Sequence, residues 1–189
     1  MLKTFIFSLT VLLAFTFQAC SKEKKEQHAV KEANALLSSN EYVLTALDNT
    51  QYVIEKTSNG FSLKDPKSKL LILDLFATWC PPCRAEAPHL ASLQKKYKDK
   101  ILILGVTIED NVNNEKLKDF VKEHKADYTL VNSSENRRLV DAVAEKLKLG
   151  NNFGIPLIAI FKDGNLVQYY QGATEEEFIE SDIKRALGI

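Results

Sequence analysis

Apolar residues change their spacing several times along the chain, and each change marks an element. Short runs of strand type come first: Tyr42 to Leu47, Tyr52 to Glu55 and Phe61 to Leu63, with Asp48-Asn49 and Asn59-Gly60 as turn formers between them. The unbroken runs Leu70 to Phe76 and Ile101 to Thr107 predict two buried strands, the first of them central. Between these, Leu90, Leu93 and Tyr97 share one face of a helix, with Pro88 as a kink. Asn113 or Asn114 can cap a helix whose Leu117, Phe120, Val121 and His124 lie together. Tyr128 to Val131 predicts a short strand, and Leu139, Val140, Val143 and Leu147 a further helix. Leu157 to Phe161 and Leu166 to Tyr170, joined by Lys162-Asp163-Gly164-Asn165, predict a hairpin. Thr174 with Glu177 reads as a capping box for a last helix that carries Phe178, Ile179, Ile183 and Leu187 and stops at Gly188. Strands alternating with helices and closed by an antiparallel pair give an α/β class with a mixed sheet.

The start of the chain follows a different rule. Lys3 precedes an apolar stretch, Phe5 to Phe17, too short to span a bilayer comfortably, so Met1 to Ala19 reads as a signal peptide. The junction Phe17-Gln18-Ala19-Cys20-Ser21 resembles a bacterial lipoprotein cleavage site, at which Cys20 becomes the acylated N-terminus. The alternative is plain cleavage near Ala19, with Cys20 left as a thiol. Ser21 to about Asn40, rich in Lys, Glu, Asn and Ser, reads as a tether or equally as a frayed terminus. The expected organisation is therefore a lipoprotein signal peptide at 1–19, a tether at 20–40 and a folded domain at 41–189. Charge adds little: 25 Lys and Arg balance 25 Asp and Glu, and nothing in that balance points to nucleic acid or to electrostatic membrane binding.

Candidate chemistry concentrates where the first buried strand ends, at Trp79-Cys80-Pro81-Pro82-Cys83. Two thiols three residues apart at a helix start close a disulfide with little backbone motion, and the helix N-terminus favours the thiolate of the first. A staple closing so small a loop adds little stability, so redox work is the better reading. Glu86, one turn beyond Cys83, is either a desolvated proton relay or a surface residue. Asp74, set among Leu71, Ile72, Leu73, Leu75 and Phe76, is either a costly buried proton acceptor or a solvated pleat position. Trp79 either shapes a docking surface or fills the core. Pro81 and Pro82 stiffen the loop and remove two amide donors that would steady a thiolate.

These residues carry a family resemblance. Phe76 to Pro88, the Gly154-Ile155-Pro156 turn before a strand, the extra strand–helix segment near 113–149 and Lys162-Asp163-Gly164 resemble the thioredoxin superfamily. Within it, the chain is similar over about residues 42–189 to the TlpA/ResA-type, CcmG-like branch of membrane-tethered, periplasm-facing thiol-disulfide oxidoreductases. The resemblance implies a thioredoxin-like fold: a central mixed β-sheet flanked by helices, with an N-terminal β-hairpin and an extra strand–helix insertion. It implies a redox-active disulfide in which Cys80 is the exposed nucleophile and Cys83 the buried resolving thiol. Pro156 would be cis and packed against that disulfide, and Ile155 would offer its backbone to a substrate strand beside Trp79, Pro81 and Pro82. Glu86 matches the family's acidic residue. Two positions depart: Asp74 stands where many members carry a neutral amide and ordinary thioredoxins a buried acid, and Leu157 follows the proline where Thr is usual.

The activity implied is keeping exported protein thiols reduced, without a cofactor. The favoured client is the haem-binding Cys pair of apocytochrome c, and the electron donor a membrane thiol transporter of the CcdA/DsbD kind. A disulfide oxidant or isomerase on the same site is the first alternative. A copper-binding module is the second, with Cys80 and Cys83 joined by His28, His89 or His124. The spacing offers no second ligand pair and His124 falls on an apolar face, so no metal is expected.

Overall fold

Three short strands, β1 (Glu41–Thr45), β2 (Gln51–Lys56) and β3 (Phe61–Leu63), pair antiparallel in chain order as a small sheet of their own. The expected hairpin is thus extended by a third strand. The first strand stops at Thr45, because Ala46 already bridges to Val131 in the main sheet. The computed structural model describes residues 40–65, 68–150 and 152–189, and Asn40–Ile189 forms a compact unit. The expected signal peptide, residues 20–39 of the tether, Cys20 and His28 lie outside the described residues. Among the described residues no helix is long and apolar enough to cross a membrane.

The chain continues through β4 (Leu70–Phe76), α1 (Pro81–Lys96), β5 (Ile101–Thr107), α2 (Asn114–His124), β6 (Thr129–Val131), α3 (Asn136–Lys146), β7 (Leu157–Lys162), β8 (Asn165–Gln171) and α4 (Glu176–Leu187). The five later strands form one sheet in the order β6-β5-β4-β7-β8. Parallel pairing runs from β4 through β5 to β6, and antiparallel pairing from β4 through β7 to β8. The mixed, helix-flanked thioredoxin-like sheet expected from the sequence is what forms. Asp163 and Gly164, both with positive φ, close the β7–β8 hairpin in the way an Asp-Gly pair favours.

β4 lies at the centre and every one of its residues is buried. Side chains alternate across a strand, so its residues divide between two cores. Leu70, Ile72 and Phe76 join Cys80, Cys83, Ala87, Leu90 and Leu93 of α1, with Phe120 of α2 and Ile179 and Ile183 of α4. Leu71, Leu73 and Leu75 join Leu139 and Val143 of α3 and Tyr42, Ile54 and Phe61 of the small sheet. The same alternation puts Asp74 on the α1 side, level with the cysteines. It puts Leu157, fully buried in the second core, on the opposite side from them.

Pro88 lies inside α1, which continues on both sides of it. Two local expectations are corrected. α4 begins at Glu176 with Glu175 as its N-cap and no side-chain cap bond, so the Thr174–Glu177 box does not form. Phe178 is 64% exposed and does not join the buried face of that helix. His124, as its position suggested, packs its ring on Phe120 with centroids 5.0 Å apart.

Candidate active site

Cys80 is the N-cap of α1, and Pro81 and Pro82 fill its first two positions, where the missing amide donors cost the helix nothing. The Cys80–Cys83 disulfide closes across that first turn. The Cys83 amide donates to Cys80 Sγ at 3.2 Å, so one first-turn donor still faces the sulfur. The Ile155–Pro156 peptide is cis, and the Ile155 carbonyl oxygen lies 3.7 Å from Cys80 Sγ. The expected contrast between an exposed Cys80 and a buried Cys83 is absent in this oxidised state: each is 2% exposed. The turn carrying Ile155 covers the first sulfur as helix and sheet cover the second.

Trp79 by contrast is 58% exposed, which settles its place outside the core. The loop that carries it is held firmly. The Glu109 carboxylate accepts from the Thr78 amide at 2.6 Å and from its hydroxyl at 3.0 Å, and Arg84 Nε donates to the Thr78 carbonyl at 2.8 Å. Burial pushes the Glu109 carboxyl up, but Lys116 and the Thr78 donors outweigh it and hold the group below the usual range. Beside this loop a cleft of about 200 Å³ runs from Trp79 and Ile155 to Phe153 and to Arg137, Val140 and Asp141 on α3.

Behind the disulfide lie two carboxyls, both buried. Glu86 is 1% exposed, one helical turn beyond Cys83 on the same face of α1. Its Oε2 accepts from the Thr174 amide at 2.8 Å, while the Thr174 hydroxyl donates to the Gly172 carbonyl. Its Oε1 is buried with no hydrogen-bond partner. Asp74 is 2% exposed, with Oδ2 accepting from the Tyr128 hydroxyl at 2.8 Å and Oδ1 also unpartnered. Burial raises the Asp74 carboxyl to about 7, with Glu86 adding to the rise and the Tyr128 hydroxyl opposing it. Burial raises Glu86 too, against the pull of the Thr174 amide and His89. Tyr128, itself buried and next to Asp74, is pushed well above the usual phenol range.

Room for the Tyr128 contact comes from β5. Gly105 stands directly opposite Asp74 in the β4–β5 register. A Cβ there would come within 2.4 Å of Leu130 Cδ2 and 3.0 Å of the Tyr128 ring. Tyr128, Glu109, Thr174 and Gly105 all shape the site, and sequence reading assigned none of them to it. They come from elements remote in the chain, and no local spacing signals them. Cys80, Cys83, Glu86, Asp74 and the Ile155–Pro156 turn do converge on one end of the sheet. Pro81 and Pro82 occupy the mouth of α1, while Leu157 turns away. Among the described residues no three His, Cys, Asp or Glu side chains gather to hold a metal ion.

An exchangeable disulfide at a helix mouth, with buried acids behind it and an aromatic flank in front, suits dithiol–disulfide exchange. Relatives agree. The chain is 28% identical over 134 residues to the thiol-disulfide oxidoreductase ResA of Bacillus thuringiensis subsp. konkukian, a match covering 70% of this chain and 72% of that protein. It is 44% identical over 63 residues to the thioredoxin-like protein YneN of Bacillus subtilis, covering 32% of this chain and 37% of that one. The fold matches a thioredoxin-family thiol:disulfide interchange protein from Chlorobium tepidum at a TM-score of 0.58 and 22% identity, over 79% of this chain and 94% of the other. It also matches the thioredoxin domain of a thiol-disulfide oxidoreductase from Bacteroides vulgatus at 0.56 and 21%, over 77% and 94%. The Redoxin family model spans residues 45–187, nearly the whole described domain, and on that match the chain belongs to the Redoxin family as a thiol-disulfide oxidoreductase.

Proposed function

We propose that this protein is an exported reductant of protein disulfides, tethered to a membrane through lipidated Cys20, with residues 1–19 removed as a signal peptide and residues 20–40 as the spacer. The Cys80 thiolate attacks a client disulfide, and Cys83 resolves the mixed species after losing its proton to Glu86 or Asp74. The client strand lies against Ile155 and Pro156, flanked by Trp79, Pro81 and Pro82. The haem-binding Cys pair of apocytochrome c is the favoured client, and a membrane thiol transporter of the CcdA/DsbD kind returns the electrons. The similarity to the thiol-disulfide oxidoreductase ResA supports dithiol–disulfide exchange as the chemistry.

The observation that carries the direction is the pair of buried, under-partnered carboxyls behind the cysteines. A strong oxidant needs a stabilised thiolate, and here the buried acids bring no positive charge to the site while Pro81 and Pro82 carry no amide donors at the helix mouth. The reduced form is therefore the less favoured one, and electrons flow out to clients. The reduction potential of the Cys80–Cys83 pair tests this. A value near or below about −270 mV supports a reductant, and one approaching about −120 mV makes the protein an oxidant and overturns the reading.

A further inference from the structure

A carboxyl that accepts a proton in every cycle must also give it up, and Glu86 has no route of its own to water. It is 1% exposed, its Oε2 is occupied by the Thr174 amide, and its Oε1 is buried without a partner. Glu175 and Glu176 at the start of α4 and Asp74 on β4 add negative charge around it without a hydrogen bond to its free oxygen, and the Tyr128 hydroxyl is engaged by Asp74.

One group stands at the door. His89 lies one turn further along α1, and its Nδ1 is, with Glu86 Oε1 and Asp74 Oδ1, a third buried, unpartnered polar atom, 4.0 Å from Glu86 Oε1. Its side chain is nevertheless 41% exposed, so the same ring reaches both the buried carboxyl and solvent. Two orphaned polar atoms facing one another, one an acceptor in neutral imidazole and the other a carboxyl oxygen that carries the proton, need about 1 Å of movement to share a hydrogen bond. An imidazole can take a proton on one nitrogen and release another from the opposite nitrogen. The Thr174 amide fixes Oε2 and thereby aims Oε1 at the ring.

We propose that His89 is the proton exit of the site, carrying to solvent the proton that Glu86 takes from Cys83. This rests on the exchange mechanism above, with Glu86 as acceptor. In the reducing direction the Cys80 thiolate attacks the client disulfide, forming the mixed disulfide and releasing one client thiolate. The Cys83 thiol loses its proton to Glu86, and its sulfur attacks Cys80 Sγ, forming the Cys80–Cys83 disulfide and releasing the second client thiolate. Two electrons pass from the dithiol to the client. The one proton left on Glu86 Oε1 passes to His89 Nδ1, and Nε2 releases one to water. When the disulfide is reduced again the path runs inward.

The test is single-turnover oxidation of the reduced full-length protein by a peptide with one disulfide, followed through the fluorescence of Trp79, the chain's one tryptophan. His89→Ala and His89→Gln should form the mixed disulfide at the wild-type rate but resolve it roughly ten-fold more slowly in dilute buffer. That is less than loss of a direct acid–base group, because Glu86 still takes the proton. Added imidazole should restore His89→Ala and leave wild type unchanged, and the reduction potential should not move. Resolution at the wild-type rate in both variants overturns the relay, as does a slowing that imidazole does not relieve. Glu86→Gln separates the two readings. If it resolves normally, Glu86 is not the acceptor and the mechanism fails with the relay; if it is slow while the His89 variants are fast, the relay alone fails.

Discussion

The two ends of α1 treat the same chemical group in opposite ways. Near its C-terminal end, Glu180 of α4 accepts from Lys96 at 2.7 Å, from the Tyr97 hydroxyl at 2.6 Å and from Lys184 at 2.9 Å. Those donors lower its carboxyl to about 2. At the N-terminal end Asp74 and Glu86 are buried, each with one oxygen unpartnered, and Asp74 is raised to about 7. The contrast follows from donors and water, not from residue type. A carboxylate held by three donors is a fixed negative charge that ties two helices together. One starved of donors holds a proton it can exchange at neutral pH, which is what a resolving thiol needs beside it.

The comparison breaks most visibly at the cysteines. Cys80→Ser should reduce turnover with a protein disulfide to background, while Cys83→Ser keeps the first attack and accumulates mixed disulfides that run as client adducts on non-reducing gels. A Cys83→Ser protein that traps nothing would remove the division of labour on which the role of the acids depends.

Asp74 gives the next effect, in stability. Its carboxyl stays protonated in the fold up to about 7, whereas the unfolded chain loses that proton near the ordinary 3.8. A raised pKa stabilises the fold at low pH, and that contribution is lost as pH rises through this window. Asp74→Asn should therefore be more stable than wild type by on the order of 4 kcal/mol at about pH 8 and no more stable at about pH 3, as read by denaturant unfolding at both. An equal gain at both would trace the effect to packing and not to the proton.

Glu180→Gln should show the smallest and opposite change. A depressed carboxyl stabilises above its unfolded value of 4.5, and that contribution disappears as pH falls through about 2. The variant should lose a little thermal stability at neutral pH, none near pH 2, and no exchange activity at either. A loss of exchange activity would mean that the two ends of the helix are not independent.

The sequence was informative wherever chemistry and local pattern coincide. The unbroken apolar run of β4 around Asp74 marked it as a candidate buried acid, and the i, i+3 spacing brings Glu86 onto the face of Cys83. What could not be read were contacts made only by folding. Tyr128 reaches Asp74 across 54 positions, Thr174 reaches Glu86 across 88, and Glu109 reaches Thr78 across 31. Thr174 shows how the gap misleads: its local setting spells a helix cap, but its amide serves the buried Glu86 and its hydroxyl the Gly172 carbonyl, while Glu175 stands at the N-cap. Cys80 misled in another way, since its cover comes from the distant turn at Ile155.

Gly105 carries a consequence for heredity. It touches no sulfur and lies in the middle of a strand, so a substitution there reads as a packing defect. Yet the methyl of an alanine would meet Leu130 and the Tyr128 ring, and that ring carries the hydroxyl bonded to Asp74. An allele at this position would therefore bear on the buried acid as well as on packing, and a cross that scored it for folding alone would miss half of its effect.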